Sequence, residues 1–301
     1  MRKIIYIFIF VLSIKNCMVA QQLPQYTNYI LNDFVLNPAL SGIGDDFEVK
    51  SNNRYQWVGI PGAPRTYVLS GDGPQQNKNM GYGGYVYSDV TGPTSRIGFD
   101  LSYAYHVKLT EKLKLSLGLS GGLQQFSVDG TQITLHDQND PALGTGFQSV
   151  FVPDIGFGAL FYSDKFYVGL SIPQIYQAQL KFFDYTSSTI STLSTHYFVT
   201  GGYKYDVSDN IRLEPSFLLN YVSPVPVQVD IGFRAIYKKM VWLGASFRSG
   251  DAFSIMAGYT YQDYLLIAYS YDIPISTIAK FGIDSQEIMF GLKFKNKPKV
   301  R

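Results

Sequence analysis

RIGFDLSYAYHVKLTEKLKLSLGLSGGLQQF, residues 96–126, decides the fold of this chain. From Ile97 to Val107 the odd positions are Ile97, Phe99, Leu101, Tyr103, Tyr105 and Val107, and the even ones are Gly98, Asp100, Ser102, Ala104 and His106. After Thr110-Glu111-Lys112 the code resumes, with Leu113, Leu115, Leu117 and Leu119 against Lys114, Ser116, Gly118 and Ser120. A period of two means extended strands with one apolar and one small or polar face. Each arm runs about ten residues or more, beyond the usual soluble strand of roughly 5–6 and near the ~9–11 a tilted strand needs to cross a bilayer. Long dyad alternation around a tight turn is the pattern of a transmembrane β-hairpin.

Outward from this hairpin, the rest of the chain carries the same composition. Of 301 residues, 24 are Tyr and 21 Phe, while charged residues make up 16%. The formal net charge of +2 gives no reason to expect nucleic acid or a polybasic anchor. Arg2-Lys3, the apolar run 4–12 and Val19-Ala20 before Gln21 predict a signal peptide over residues 1–20. Its nine apolar residues fall well short of the ~20 of a spanning helix. The sole cysteine, Cys17, lies in that leader behind Ile14-Lys15-Asn16, unsuited to lipid attachment, so the mature chain is expected to lack thiol, disulfide and cysteine metal sites. No later segment is apolar long enough for a helical span, so a chain of this kind in a membrane must close a barrel.

The expected organisation is an irregular N-terminal segment over 21–46, an all-β transmembrane antiparallel barrel over 47–295, and a short tail over 296–301. Strands are predicted near 47–57, 65–72, 80–89, 95–108, 112–126, 153–163, 165–172, 194–206, 210–222, 226–238, 240–249, 252–260, 263–272 and 285–295, about fourteen in all. Every connection longer than ten residues is odd-numbered, at 127–152, 173–193 and 273–284. Short periplasmic turns alternating with long extracellular loops is the asymmetry of bacterial outer-membrane barrels. Tyr103, Tyr105, Tyr203, Tyr205, Tyr237, Trp242, Tyr259, Tyr261 and Tyr264 cluster at the tight turns and predict a periplasmic girdle. The opposite parity predicts a lumen network of Asp100, His106, Asp154, Lys204, Asp230, Arg234 and Arg248, since such groups are costly in lipid.

No enzyme is expected. Of the three histidines, His106 takes lumen parity, His136 a loop and His196 a strand start, and none has the lipid-facing Ser and His of a phospholipase-type barrel. HDQNDPAL (136–143) could offer oxygens to calcium through Asp137 and Asp140, but a polar extracellular turn reads better, so no metal or cofactor is expected. Gly81-Tyr82-Gly83-Gly84 and 118–122 precede no helix, and glycines in strands permit bending or close approach.

Several stretches together resemble the PorP/SprF family of outer-membrane proteins, associated with type IX secretion and gliding in Bacteroidetes. They are AQQLPQYTNYILNDFVLNPALSG (20–42), with Asn37, Pro38, Ala39 and Gly42, and NRYQWVGIPGAPRTYVLSGD (53–72), with Arg54, Gln56, Trp57, Pro64 and Thr66. VPDIGFGALFYSDKFYVGLSIPQI (152–175), YSYDIPIS (269–276) and QEIMFGLKF (286–294) follow. Leu23 departs from the family's early acidic residue, and the sequence ends at Arg301 without an added periplasmic domain, so attachment to peptidoglycan is not expected.

The resemblance implies an outer-membrane location and a barrel that binds a large secreted surface protein, an adhesin, through its C-terminal domain, supporting export or retention. The alternative it implies is a core component meeting periplasmic motor or ring lipoproteins. A passive porin or hydrophobic-substrate transporter is the rival of another class. For 21–46, the spaced anchors Tyr26, Tyr29, Phe34, Leu36 and Leu40 predict a plug or platform inside the barrel, its Asn and Gln side chains pairing with groups such as Arg54 and Asp100. A loose periplasmic leader is the alternative.

Overall fold

Period-two alternation becomes a continuous antiparallel ladder in the computed structural model, which describes residues 23–75, 79–133, 146–180, 182, 191–281 and 283–295. The strands are β1 (Phe47–Val58), β2 (Arg65–Pro74), β3 (Met80–Thr91), β4 (Thr94–Lys108), β5 (Lys114–Asp129), β6 (Phe147–Tyr162), β7 (Phe166–Ile172), β8 (Gln179–Leu180), β9 (Ser191–Thr192), β10 (His196–Tyr203), β11 (Tyr205–Ser208), β12 (Ile211–Val222), β13 (Gln228–Tyr237), β14 (Val241–Arg248), β15 (Ala252–Tyr261), β16 (Leu265–Pro274) and β17 (Asp284–Phe294). Neighbours in sequence pair in order, β1 closes on β17, and β10 bridges β7 to β12. β10 and β11 occupy one wall position interrupted at Lys204, so the closed barrel has fourteen strands. Every wall strand has a neighbour on both sides along the shared circuit, which is what a bilayer demands of a sheet, while β6 runs on beyond its ladder with β7.

Side-chain parity separates two environments. Leu101, Leu119, Ile231, Leu243 and Ile255 point outward and are exposed, while Ala104, Ser116, Ser254, Ser270 and Met289 point inward and are buried. Aromatic pairs ring both ends of the apolar band. Tyr82 meets Tyr103 at 5.5 Å and Phe47 meets Phe294 at 6.3 Å at the turn end, and Tyr55 meets Tyr67 at 6.0 Å at the loop end. Trp242 is not part of that girdle. It pairs in the ladder with Ile236 and Gly258, faces the lumen and packs with Met256, Ala268 and Met289. Its even parity in a strand whose odd members are Val241, Leu243 and Phe247 is the reason, and proximity to a turn was the wrong criterion.

The two-residue turns Lys238-Lys239 and Gln262-Asp263 hold both residues at positive φ, the geometry that keeps hairpin arms in register with their own twist. At the other end lie the longer connections 130–146, 173–195 and 275–283. β5 and β6 exceed their expected spans, reaching Asp129 and beginning at Phe147, so they narrow the connection expected at 127–152. Residues 136–143, with the candidate calcium oxygens, lie outside the described residues, as do 1–20 and 296–301.

Past Ile172 the chain leaves the wall and folds into the mouth. Gln174 donates to Gln124 at 3.2 Å, and Ala178, Leu180 and Leu193 pack on Val152 from the lumen side, with Phe126 and Val150 against them.

Candidate functional site

Residues 23–42 cross the inside of the barrel from the loop end to the turn end. Near the loop end, Gln25 donates to Gln228 at 3.0 Å, and the Tyr26 carbonyl accepts from Arg248 at 3.5 Å. Three short 3₁₀ turns follow, Tyr29–Leu31, Asp33–Val35 and Pro38–Leu40, the form a short chain takes when Asn, Pro and small residues interrupt every longer repeat. In the last turn the Asn37 side chain accepts from the Ala39 amide at 2.9 Å, and Pro38 supplies a preset φ at the first position. Gly42 then donates to Asp72 at 2.9 Å, five residues before β1 begins at the turn end.

The segment is held on every side. Thr27 and Asn28 meet β16 and β17, Tyr29 meets Asp230 of β13, and Asn32 meets Asn52 of β1 and Ser70 of β2. Phe34 stands edge-on to Tyr85 of β3 at 6.1 Å. Ser171 of β7 donates to the Leu36 carbonyl at 2.6 Å, and Ser116 of β5 to the Ala39 carbonyl at 2.6 Å. Ser41 meets Ser102 of β4 at 2.8 Å. Small wall residues make this possible. A Cβ on Gly118 would stand 2.3 Å from the Ala39 nitrogen, and one on Gly158 would stand 1.9 Å from Asn37 Oδ1.

The strongest polar anchor is Arg54. Its Nη2 donates to Asp272 Oδ2 at 2.7 Å, its Nη1 to Thr27 Oγ1 at 2.7 Å, and Nη1 lies 3.5 Å from Glu287 Oε2. Glu287 accepts from the Thr27 amide at 2.7 Å and from Asn52 at 3.0 Å, while Thr27 donates to Asp272. All four charged or hydroxyl groups are at most 2% exposed. One guanidinium between two carboxylates leaves an excess negative charge, and backbone N–H and hydroxyl donors of the segment supply its remaining hydrogen bonds. Such a cluster is stable only while every member keeps its partners.

The other expected lumen residues fall into separate groups. Arg248 donates to Asp230 at 3.0 Å and to Asp251 at 3.1 Å, joining the Tyr26–Tyr29 stretch. Arg234 pairs with Glu214 and lies 5.2 Å over the Trp242 ring. Asp154 accepts from Gln124, which accepts in turn from Arg96, and Gly122 stands between Asp154 and Asp100 in the ladder, so both carboxyls share one level of the wall. Asp100 takes no hydrogen bond from the N-terminal segment among the described residues, and Arg54 meets that segment through Thr27 rather than through an amide side chain. His106 is buried near the turn end, edge-on to Tyr162. Lys204 sits exposed in the break between β10 and β11 and still lines the cavity at the turn end. Its amide donates to the Lys165 carbonyl at 2.6 Å, at the turn that joins β6 to β7.

Of the other family-motif positions, Thr66 faces inward and donates to Asp89 at 2.5 Å. Gln56 and Pro64 join β1 to β2 through a 3.0 Å backbone bond, and Trp57, at φ 50°, donates its amide to Ser285 Oγ at 3.0 Å. These three therefore build the loop-end rim and stay clear of the Arg54 cluster. Asp272, Glu287, Thr27 and Gln124 were not singled out from sequence, although Asp272 alternates with outward Tyr269, Tyr271 and Ile273 and could have been found by parity.

Toward the turn end the lumen widens into a cavity of about 720 Å³, floored by Ile30, Leu31 and Trp242 and walled by Asp33, Lys50 and Arg234. Burial raises the Asp33 carboxyl above the usual range and Lys50 opposes it. On the loop side of the segment, voids beside Tyr26 are about 30 and 40 Å³, room for ordered water and little else. The arrangement is a deep socket facing the turn end, closed behind by the chain's own N-terminal segment.

The family described as type IX secretion system membrane protein PorP/SprF matches residues 18–292. No curated protein matches the sequence. Among solved structures, a deletion mutant of the TodX monoaromatic hydrocarbon channel has a TM-score of 0.51 at 9% identity, covering 88% of this chain and 94% of that one. The CymD monoaromatic hydrocarbon channel has a TM-score of 0.50 at 14% identity, covering 88% and 93%. A Pseudomonas aeruginosa FadL homologue has a TM-score of 0.48 at 10% identity, covering 91% and 95%. At these identities the likeness concerns the barrel fold alone.

Proposed function

The chain belongs to the PorP/SprF family of type IX secretion system membrane proteins, and from that membership we propose that it is a non-enzymatic outer-membrane holder for a large secreted surface protein. In this reading the barrel binds the C-terminal domain of an adhesin and supports its export or its retention at the surface. The observation that carries it is the occupied lumen. A segment hydrogen-bonded to strands around the circuit and locked by the Arg54 cluster suits a scaffold better than a conduit. A passive porin would keep its axis open to water, whereas here the axis is filled by Tyr29, Phe34 and Leu36.

The turn-end socket favours a second reading, a core component that seats a periplasmic lipoprotein, because it offers an apolar floor and mixed-charge walls at the end with the short turns, which in bacterial barrels is the periplasmic one. Isolation of the barrel in mild detergent, with identification of what co-purifies, tests both. An exported surface protein supports the first reading, a periplasmic lipoprotein supports the second, and recovery of the barrel alone from cells that express both classes overturns the holder function.

A further inference from the structure

β6 spans sixteen residues and β7 seven, and their ladder ends where Phe157 meets Ile172. Beyond that pair, residues 147–156 keep β5 on one side, in register from Asp129↔Phe147 to Ser120↔Gly156. Their other side pairs with no strand among the described residues, and β8 packs near it on Val152 from the lumen side. The Ile155 carbonyl accepts from the Ile175 amide at 2.9 Å, which fixes the parity of this edge: odd-numbered residues of β6 direct their backbone groups away from β5. Phe147, Ser149 and Phe151 thus present N–H and C=O groups, and Pro153 a C=O alone. Pro153 fits inside so long a strand because its missing donor falls on the unpaired side. That is also why sequence reading began the strand only at Pro153.

The edge is apolar where proteins usually blunt theirs with charge. Phe147 and Phe151 point outward at 64% and 66% exposure, with the small Ser149 between them, and Ile175 and Tyr176 stand exposed beside them. At 15 and 16 residues, β4 and β5 exceed the ~9–11 needed to cross a bilayer, so with β6 they project from the loop end. Donors and acceptors repeating every second residue over this distance are matched by one kind of ligand, an extended backbone.

We propose that the β6 edge, Phe147–Pro153, is a strand-addition site that takes an extended segment of the surface protein held by the barrel, with apolar side chains at alternate positions lying over Phe147 and Phe151. It rests on the holder reading above. The bond set is short, three N–H and four C=O groups, and Pro153 sets its inner limit, so the edge supplies register and grip to a complex whose main contacts lie elsewhere.

Ser149→Pro removes one edge donor without touching the β5 ladder, as Pro153 already does natively, and Gln148→Pro, which breaks that ladder, is its destructive counterpart. The barrel and the exported protein that co-purifies with it are isolated from wild-type and variant cells, with heat-modifiability checked first. At least a fivefold drop in the exported protein for Ser149→Pro, with full heat-modifiability, is expected. Hydrogen exchange on wild-type protein gives the independent readout. The Phe147, Ser149 and Phe151 amides exchange fast in the isolated barrel and become protected in the complex, while Gln148 and Val150 are protected in both. Equal recovery with Ser149→Pro, or edge amides already protected in the isolated barrel, overturns the edge proposal alone. A barrel dimer that Ser149→Pro dissolves assigns the edge to a second copy and overturns it too. Absence of any exported protein even with wild type overturns the holder reading and this proposal with it.

Discussion

Arg54 and Asp272, 218 positions apart in sequence, face each other across β1, β17 and β16 at 2.7 Å, with Thr27 of the N-terminal segment bonded to both. The pair therefore ties the segment to the closing seam of the barrel. Arg54→Met leaves Asp272 and Glu287 buried without their counter-charge, a loss of about 3–5 kcal/mol for a broken buried pair. We expect the urea unfolding free energy to fall by about that much. Arg54→Met combined with Asp272→Leu and Glu287→Met should recover most of it, since an apolar replacement of the whole cluster carries no stranded charge. A triple variant that loses as much as Arg54→Met alone would mean the cluster is not coupled.

Removal of residues 23–40 opens the axis. The segment contributes Tyr29, Phe34 and Leu36 to the lumen core, and the wall behind them is lined by small groups such as Ser102, Ser116, Ser270 and Gly118. In planar bilayers the intact barrel should conduct little and the truncated one several-fold more, with loss of the co-purifying partner. Unchanged conductance and unchanged partner would show that the segment neither fills the pore nor supports binding.

Gly158→Val gives the same displacement without shortening the chain. The new side chain needs the space of Asn37 Oδ1, which holds the Asn37-Pro38-Ala39 turn together through the Ala39 amide. The expected result is rapid proteolysis of the segment in folded barrel and raised conductance, while Ala159→Val, on the outward face one residue on, changes neither. If Gly158→Val remains as closed and protease-resistant as wild type, the close approach is not limiting.

Periodicity made most of the wall legible, because lipid on one side and a small polar lumen on the other impose a choice at every residue. It failed where the backbone leaves the ladder. Residues 173–180 turn inward after Ile172, which no local pattern announces. The lumen cluster was half legible. Arg54 carried its signal as a cation in a strand, but its partners Asp272 and Glu287 come from strands that become neighbours only when β1 closes on β17, a contact set by ring closure and not by nearby sequence.

Trp242 gives a direct test of which face parity assigns. It packs in the lumen against Met256, Ala268 and Met289 under the Arg234 guanidinium, while Leu243, one residue on, is 63% exposed on the lipid face. In a Trp57→Phe background Trp242 is the one tryptophan of the chain, so its fluorescence is a depth and face probe. Brominated lipids quench by contact, and the barrel wall lies between them and Trp242. Reconstituted protein should therefore keep nearly all its emission, whereas Trp57→Phe with Trp242→Phe and Leu243→Trp should lose most of it. A water-soluble quencher reaches the lumen through the turn-end cavity that Trp242 floors, so iodide should quench Trp242 more than it quenches the tryptophan at 243. Strong quenching of Trp242 by brominated lipid would return it to the aromatic girdle and reverse the facing of β14.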